Sequence, residues 1–220
     1  MKTALQFLTP VLFIALLSTT ALAREHEVGH GKDQGDDCDP DRRGKKGDGR
    51  DRDGVDFVVS EDVLRSSLTT HWIFVTPWSQ DYRRGCVFHM GFRHVLRFNT
   101  RIVNQGNRDF ELGEPPAPEW VKYSFLRVDG TEAIPLRHQS LVMKDDHQIV
   151  GDRPGKYDYH FQGLTAGWAN DHPAKAHCQL FDITELNSGT YLIEIEVNPD
   201  REFEESNYCN NKTRTIVELR

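Results

Sequence analysis

Three stretches of this chain alternate apolar and polar residues with a period of two, and that period admits little but β-structure, because successive side chains on a strand point to opposite faces. "VLRFNTRIV" (95–103) puts Leu96, Phe98 and Ile102 on one face and Arg97, Asn99 and Arg101 on the other. "TYLIEIEV" (190–197) sets Tyr191, Ile193, Ile195 and Val197 against Glu194 and Glu196, and "TRTIVEL" (213–219) repeats the pattern with Thr215, Val217 and Leu219. Turn residues separate the runs at Asn104-Gln105-Gly106-Asn107, Asp129-Gly130 and Asn187-Ser188-Gly189. Only "SEDVLRSSL" (60–68) reads as a helix, with Ser60 as its N-cap and acids in the first turn. Residues 144–179, polar and rich in Gly, Pro and His, read as ordered irregular structure. The expected fold is all-β, an antiparallel β-sandwich with long irregular loops.

Composition divides the chain into three zones. Lys2, an apolar stretch and the Ala21-Leu22-Ala23 ending make residues 1–23 a secretory signal peptide. Pro10 and Ser18-Thr19-Thr20 keep the apolar run short of the ~20 residues a membrane span needs. Residues 24–54 hold 8 Lys/Arg, 10 Asp/Glu and seven Gly in 31 positions, with no Phe, Tyr or Trp. Such a segment buries too little apolar surface to offset its ordering entropy, and disorder is expected. Residues 55–220 are enough for one domain with a core. A net charge of -7 argues against a nucleic-acid partner. Four cysteines in a secreted chain imply two disulfides, with three connectivities open.

Little in the sequence announces catalysis. His172 and His177 are spaced by five, which fits neither face of a strand nor one face of a helix, and no Ser/His/Asp set, phosphate loop or paired-carboxylate signature stands out. "EESNYCNN" (204–211) crowds side-chain oxygens closely enough either to cap a turn or to coordinate a hard cation.

Several longer motifs resemble the lysyl oxidases, copper-dependent amine oxidases of extracellular matrix and of some bacteria. "DFVVSEDVL" (56–64), "VLRFNTRIVNQGNRDFELG" (95–113), "FQGLTAGWAN" (161–170) and "CQLFDITELNSGTYLIEIEVNPDREFEESNYCNN" (178–211) carry the likeness, which spans nearly all of 55–220. The resemblance implies a site for copper and a lysine tyrosylquinone, and this chain departs from the family pattern at both. The family's dense histidine segment is replaced by "ELGEPPAPEWVKYSFLRVDG", and no histidine lies between His94 and His138. Imidazoles are what a Cu(II) site of this kind requires. Alignment places Gln139 at the quinone lysine and His172 at the quinone tyrosine. A glutamine cannot supply the cross-linking amine, nor an imidazole the quinone.

By the same resemblance Cys178 pairs with Cys86, which leaves Cys38 for Cys209. The family's closing motif and opening strand together hold a structural calcium, so the implied ligands are Asp56, the Phe57 carbonyl, Glu205, Asn207, Asn210 and Asn211. Asn207 stands where the family favours Asp, which removes one negative charge. Asn211 also opens a glycosylation sequon with Lys212 and Thr213. The expected function is a secreted, catalytically silent, calcium-stabilised binding or matrix module with an extracellular protein or matrix partner. The competing expectation is a copper-dependent amine oxidase acting on peptidyl lysine through unrecognised ligands.

Overall fold

The computed structural model describes residues 53–220. The signal peptide expected at 1–23, Cys38 and all but the last two residues of the charged segment 24–54 lie outside the described residues. Those last two are ordered. Asp53 makes a two-pronged ion pair with Arg108, and the Gly54 carbonyl accepts from Asn107 and Arg108 N–H.

In chain order the strands are β1 (Phe57–Val59), β2 (Thr69–Val75), β3 (Gly91–Arg97), β4 (Thr100–Asn104), β5 (Phe110–Gly113), β6 (Val121–Arg127), β7 (Glu132–Gln139), β8 (His147–Gln148), β9 (Gln162–Leu164), β10 (Trp168–His172), β11 (Leu180–Asp182), β12 (Gly189–Val197) and β13 (Lys212–Leu219). Helix α1 (Glu61–Ser67) precedes β2, and the short α2 (Gln80–Arg83) follows it. Every pairing is antiparallel, in sheets ordered β1-β4-β10-β8, β11-β3-β2, β13-β12-β6-β7 and β5-β9. The molecule is the all-β sandwich that its alternation implies.

Strand β12 shows why. Tyr191, Ile193, Ile195 and Val197 are all buried, and they stand beside β6 with Ile193 opposite Phe125 and Ile195 opposite Tyr123. Aromatic rings against β-branched side chains across a strand pair stabilise by roughly 0.2–1 kcal/mol each. The same core takes in Phe57, Phe98, Trp120 and Phe181, with Phe181 stacked on Phe98 at 5.3 Å and tilted against Phe125 at 5.1 Å. A second, smaller cluster of Val75, Val87, Val95 and Leu180 lies with Ile73 and Tyr82 under the β2–β3 connection. Helix α1 starts where its sequence implies, the Ser60 hydroxyl accepting from Val63 N–H.

Three expectations need correction. The run 95–103 is two strands in two different sheets, broken at Phe98 and Asn99. Asn99 is held by Ser67 and Ala174, its N–H on the Ser67 hydroxyl and its Oδ1 on the Ala174 N–H, so the chain turns from β11 toward β10 while keeping Leu96, Phe98 and Ile102 in the core. Glu194 is buried rather than solvated, because Arg214, its direct cross-strand neighbour, and Lys212 cover and neutralise it. Residues 144–179 are not wholly irregular, since β8, β9 and β10 form within them. Asp145 organises that stretch, its carboxylate accepting from the N–H groups of Lys156, Tyr157 and Thr165 and from the Thr165 hydroxyl.

Cys86 in the β2–β3 connection is bonded to Cys178, just before β11. Cys209 is disulfide-bonded as well, and Cys38, its expected partner, lies outside the described residues.

Candidate functional site

The lead-in to β1 and the segment between β12 and β13 meet across the end of the sandwich. Two features of the sequence hold them there. The Asn104–Asn107 turn receives β1, with Asn104 Oδ1 accepting from the N–H groups of Asp56 and Gly106 and its Nδ2 donating to the carbonyls of Arg108 and Leu164. Gly106 is needed for that approach, because a Cβ there would sit 2.1 Å from the Gly54 carbonyl oxygen. On the other side, Val55 accepts from Ser206 through both its N–H and its hydroxyl.

Five of the six implied calcium ligands come together at this junction. Asn210 Nδ2 donates to Asp56 Oδ1 at 2.8 Å. Glu205 Oε2 accepts from Phe57 N–H at 2.8 Å, and its Oε1 accepts from Asn211 Nδ2 at 2.7 Å and Asn198 Nδ2 at 2.6 Å. Asp56 and Glu205 are only 3% and 8% exposed, so two carboxylates share one buried corner. Burial, with the nearby charge of Asp56, raises the Glu205 carboxyl above its ordinary value against the hydrogen bonds that hold it down. Two side-chain oxygens, Asn210 Oδ1 and Asn211 Oδ1, are buried without a hydrogen-bond donor. Orphaned buried oxygens are costly, and a hard cation that takes mixed carboxylate, amide and backbone oxygens would satisfy both. The residues present fit calcium. Asn207 Oδ1 accepts from the Cys209 N–H in a tight turn of the same segment. Phe57 contributes its N–H to Glu205 and its ring to the core, where it meets Phe110 edge-on at 5.1 Å. The Asn211 sequon is closed to a glycan in this fold, since Asn211 is buried and its amide nitrogen is donated to Glu205 and the Val197 carbonyl.

Asn198 belongs to the site, and sequence reasoning missed it. Its φ of 47° lies in the left-handed region that few residues but Asn and Gly tolerate, and its amide bridges the Phe203 backbone and Glu205. The signal was the Asn-Pro pair at 198–199, a turn marker directly after a strand.

The two quinone positions lie on different sheets. Gln139 ends β7, with its Oε1 buried and lacking a donor. His172 ends β10 opposite Thr100, its Nε2 2.6 Å from Asn170 Oδ1. Burial pushes the His172 imidazole down to about 4 against the upward pull of Asp146 and Asp171, so the ring is neutral at physiological pH. No hydrogen bond joins the two side chains. The proline-containing link after β5 leads straight into β6. Among the described residues no three His, Cys, Asp or Glu side chains converge as a group.

The chain is 30% identical to lysyl oxidase homolog 2 of Bos taurus, an alignment covering 57% of this chain and 18% of that protein. It is 29% identical to the Homo sapiens homolog 2 over 55% of this chain and 18% of that one, and 29% identical to Danio rerio homolog 3A over 56% and 19%. The match therefore spans about a fifth of the length of these relatives. A CARDB domain from Pyrococcus furiosus, solved in complex with di-metal ions, superposes with a TM-score of 0.33 at 12% identity over 75% of this chain and 88% of that one, too loosely to carry an argument. The sequence model of the lysyl oxidase family matches residues 74–220, two-thirds of the chain, and the protein belongs to that family.

Proposed function

We propose that this family member is a secreted, calcium-stabilised binding or matrix module that does not oxidise amines, with an extracellular protein or matrix component as its partner. The observation that carries the calcium part is the pair of donorless oxygens on Asn210 and Asn211 beside the buried carboxylates of Asp56 and Glu205. Silence is supported by chemistry at two positions, since Gln139 has no amine to cross-link and His172 no phenol to oxidise. Family membership alone favours the second reading, a copper-dependent amine oxidase acting on peptidyl lysine.

One preparation of the full chain tests both. With affinity in the ~0.1–1 mM range of extracellular modules, calcium at about ten times Kd stabilises the fold by roughly 1.4 kcal/mol. For a domain of this size that raises the melting temperature by about 3–5 °C. Glu205→Gln should remove most of the shift while the calcium-free protein still melts cooperatively. An unmoved wild-type curve would leave the 204–211 segment as a turn without a metal role. Copper-loaded protein given an alkyl amine should release no more hydrogen peroxide than a heat-inactivated control; release that carbonyl reagents block would establish the oxidase reading instead.

A further inference from the structure

Strand β2 is an open edge without the usual protection. It is seven residues long, pairs with β3 in unbroken register, and has no other described strand beside it. Its outer row of N–H and C=O groups receives no backbone hydrogen bond from any other described residue. Natural sheets blunt such edges with charge, proline, bulges or brevity. Every other edge here does so. Strand β13 carries Lys212, Arg214 and Glu218, β7 carries Pro135 and two register shifts, β5 is four residues with Glu111 and a register shift, and β1, β8, β9 and β11 are two or three residues long. In "TTHWIFV" there is no Lys, Arg, Asp, Glu or Pro.

The same element displays apolar surface. On one face of the hairpin Trp72 stacks on His94 at 4.8 Å and Phe74 meets Phe92 at 5.0 Å. Trp72, Phe74 and Phe92 are 64%, 62% and 72% exposed, and the β2–β3 connection adds Trp78, Phe88 and Met90 at 82%, 64% and 55%. At ~150–250 Å² per large aromatic and these exposures, Trp72, Phe74 and Phe92 offer on the order of 400 Å² on this face, about half of what each partner contributes to a standard specific interface, and the open backbone row adds to it.

We propose that β2 is the dimerisation edge of this protein, pairing antiparallel with β2 of a second copy about a two-fold axis. A strand paired antiparallel with itself is self-complementary, as an isologous interface requires. Residues of like parity then face each other, so Trp72 and Phe74 of both copies share one face of a continuous six-stranded sheet. Lipid is a poorer occupant, because hydrocarbon cannot satisfy an open row of backbone groups.

Sedimentation equilibrium of the full chain, from sub-micromolar to high micromolar concentration, reads the outcome directly. The expected result is reversible formation of a species of twice the chain mass that goes no further. Trp72→Lys and Phe74→Lys change exposed positions, and each should weaken association at least about thirtyfold with the melting temperature of the dilute protein unchanged. Hydrogen exchange of the wild type adds a readout independent of any variant: β2 amides should be protected in the concentrated sample and lose protection on dilution. A monomer at every concentration overturns the proposal, as does open-ended growth, concentration-independent exchange in β2, or flotation of the monomer with anionic vesicles. None of these readings depends on calcium or on oxidase activity.

Discussion

His172 shows what one residue's surroundings can do to its chemistry. Its neighbours Asp146 and Asp171 would hold a proton on the ring, Lys144 opposes them, and burial outweighs the carboxylates, so the folded-state value falls to about 4 from an ordinary 6.5. A base whose folded pKa is depressed stabilises the fold above its unfolded value, and that contribution is lost as pH falls through the window between the two. Stability should therefore decline from about pH 6.5 toward pH 4. His172→Gln should flatten that part of a chemical-denaturation profile and leave the neutral-pH value nearly unchanged. An identical slope in the variant would assign the acid sensitivity to other groups. At this scale the chemistry was legible in the sequence only where it was concentrated. Glu205, Asn210 and Asn211 lie within seven positions and announce an oxygen cluster, whereas Asn104 and Asn198 serve the same corner from separate turns that no local pattern connects to it.

Among elements, the junction of β1 with the Asn104–Asn107 turn governs the candidate site. Gly106→Ala would put a methyl group within 2.9 Å of Val55 and Asp56 backbone atoms as well as against the Gly54 carbonyl, so β1 must move. Overpacking of this kind costs typically ~1–3 kcal/mol. Because the displaced residues include Asp56, the variant should also lose its calcium-dependent stabilisation, a coupling that thermal melts with and without calcium would reveal. A retained calcium shift would separate the turn from the site. The period-two pattern named the faces of β12 and β13 correctly, since alternation is set by the backbone alone. It could not mark the break between β3 and β4, because Leu96, Phe98 and Ile102 keep their parity through the bend. Strand β2 is apolar on both faces from Trp72 to Val75: Ile73 and Val75 pack into the smaller cluster while Trp72 and Phe74 stay exposed, so alternation could not say which face is buried.

In the whole molecule, the Cys86–Cys178 bond links the β2–β3 connection to β11 across 92 positions of sequence. The chain-entropy account assigns a loop of that length roughly 4–5 kcal/mol, an upper figure from which native strain subtracts. Replacing both cysteines by alanine should lower the unfolding free energy by up to that amount, read from denaturant midpoints at constant slope; a loss below ~1 kcal/mol would mean the unfolded chain is already constrained. The sandwich class followed from alternation and turn residues because these are local. The sheet order did not, since Phe57 bonds to Glu205 148 positions away and β11 reaches back to β3.

That first contact, between the opening strand and the last turn, has a temporal side. A chain synthesised from its N-terminus at ~5–20 residues per second presents Asp56 about 7–30 s before Glu205 leaves the ribosome. Through that interval Asp56, just ahead of a strand that can pair with β4, does not yet have the Glu205 carboxylate beside it. The two acids are brought together only once residues 198–211 have arrived, with β13 alone still to follow, so the corner closes late in synthesis. A contact absent from the folding transition state does little to the speed of folding and much to the lifetime of what has folded.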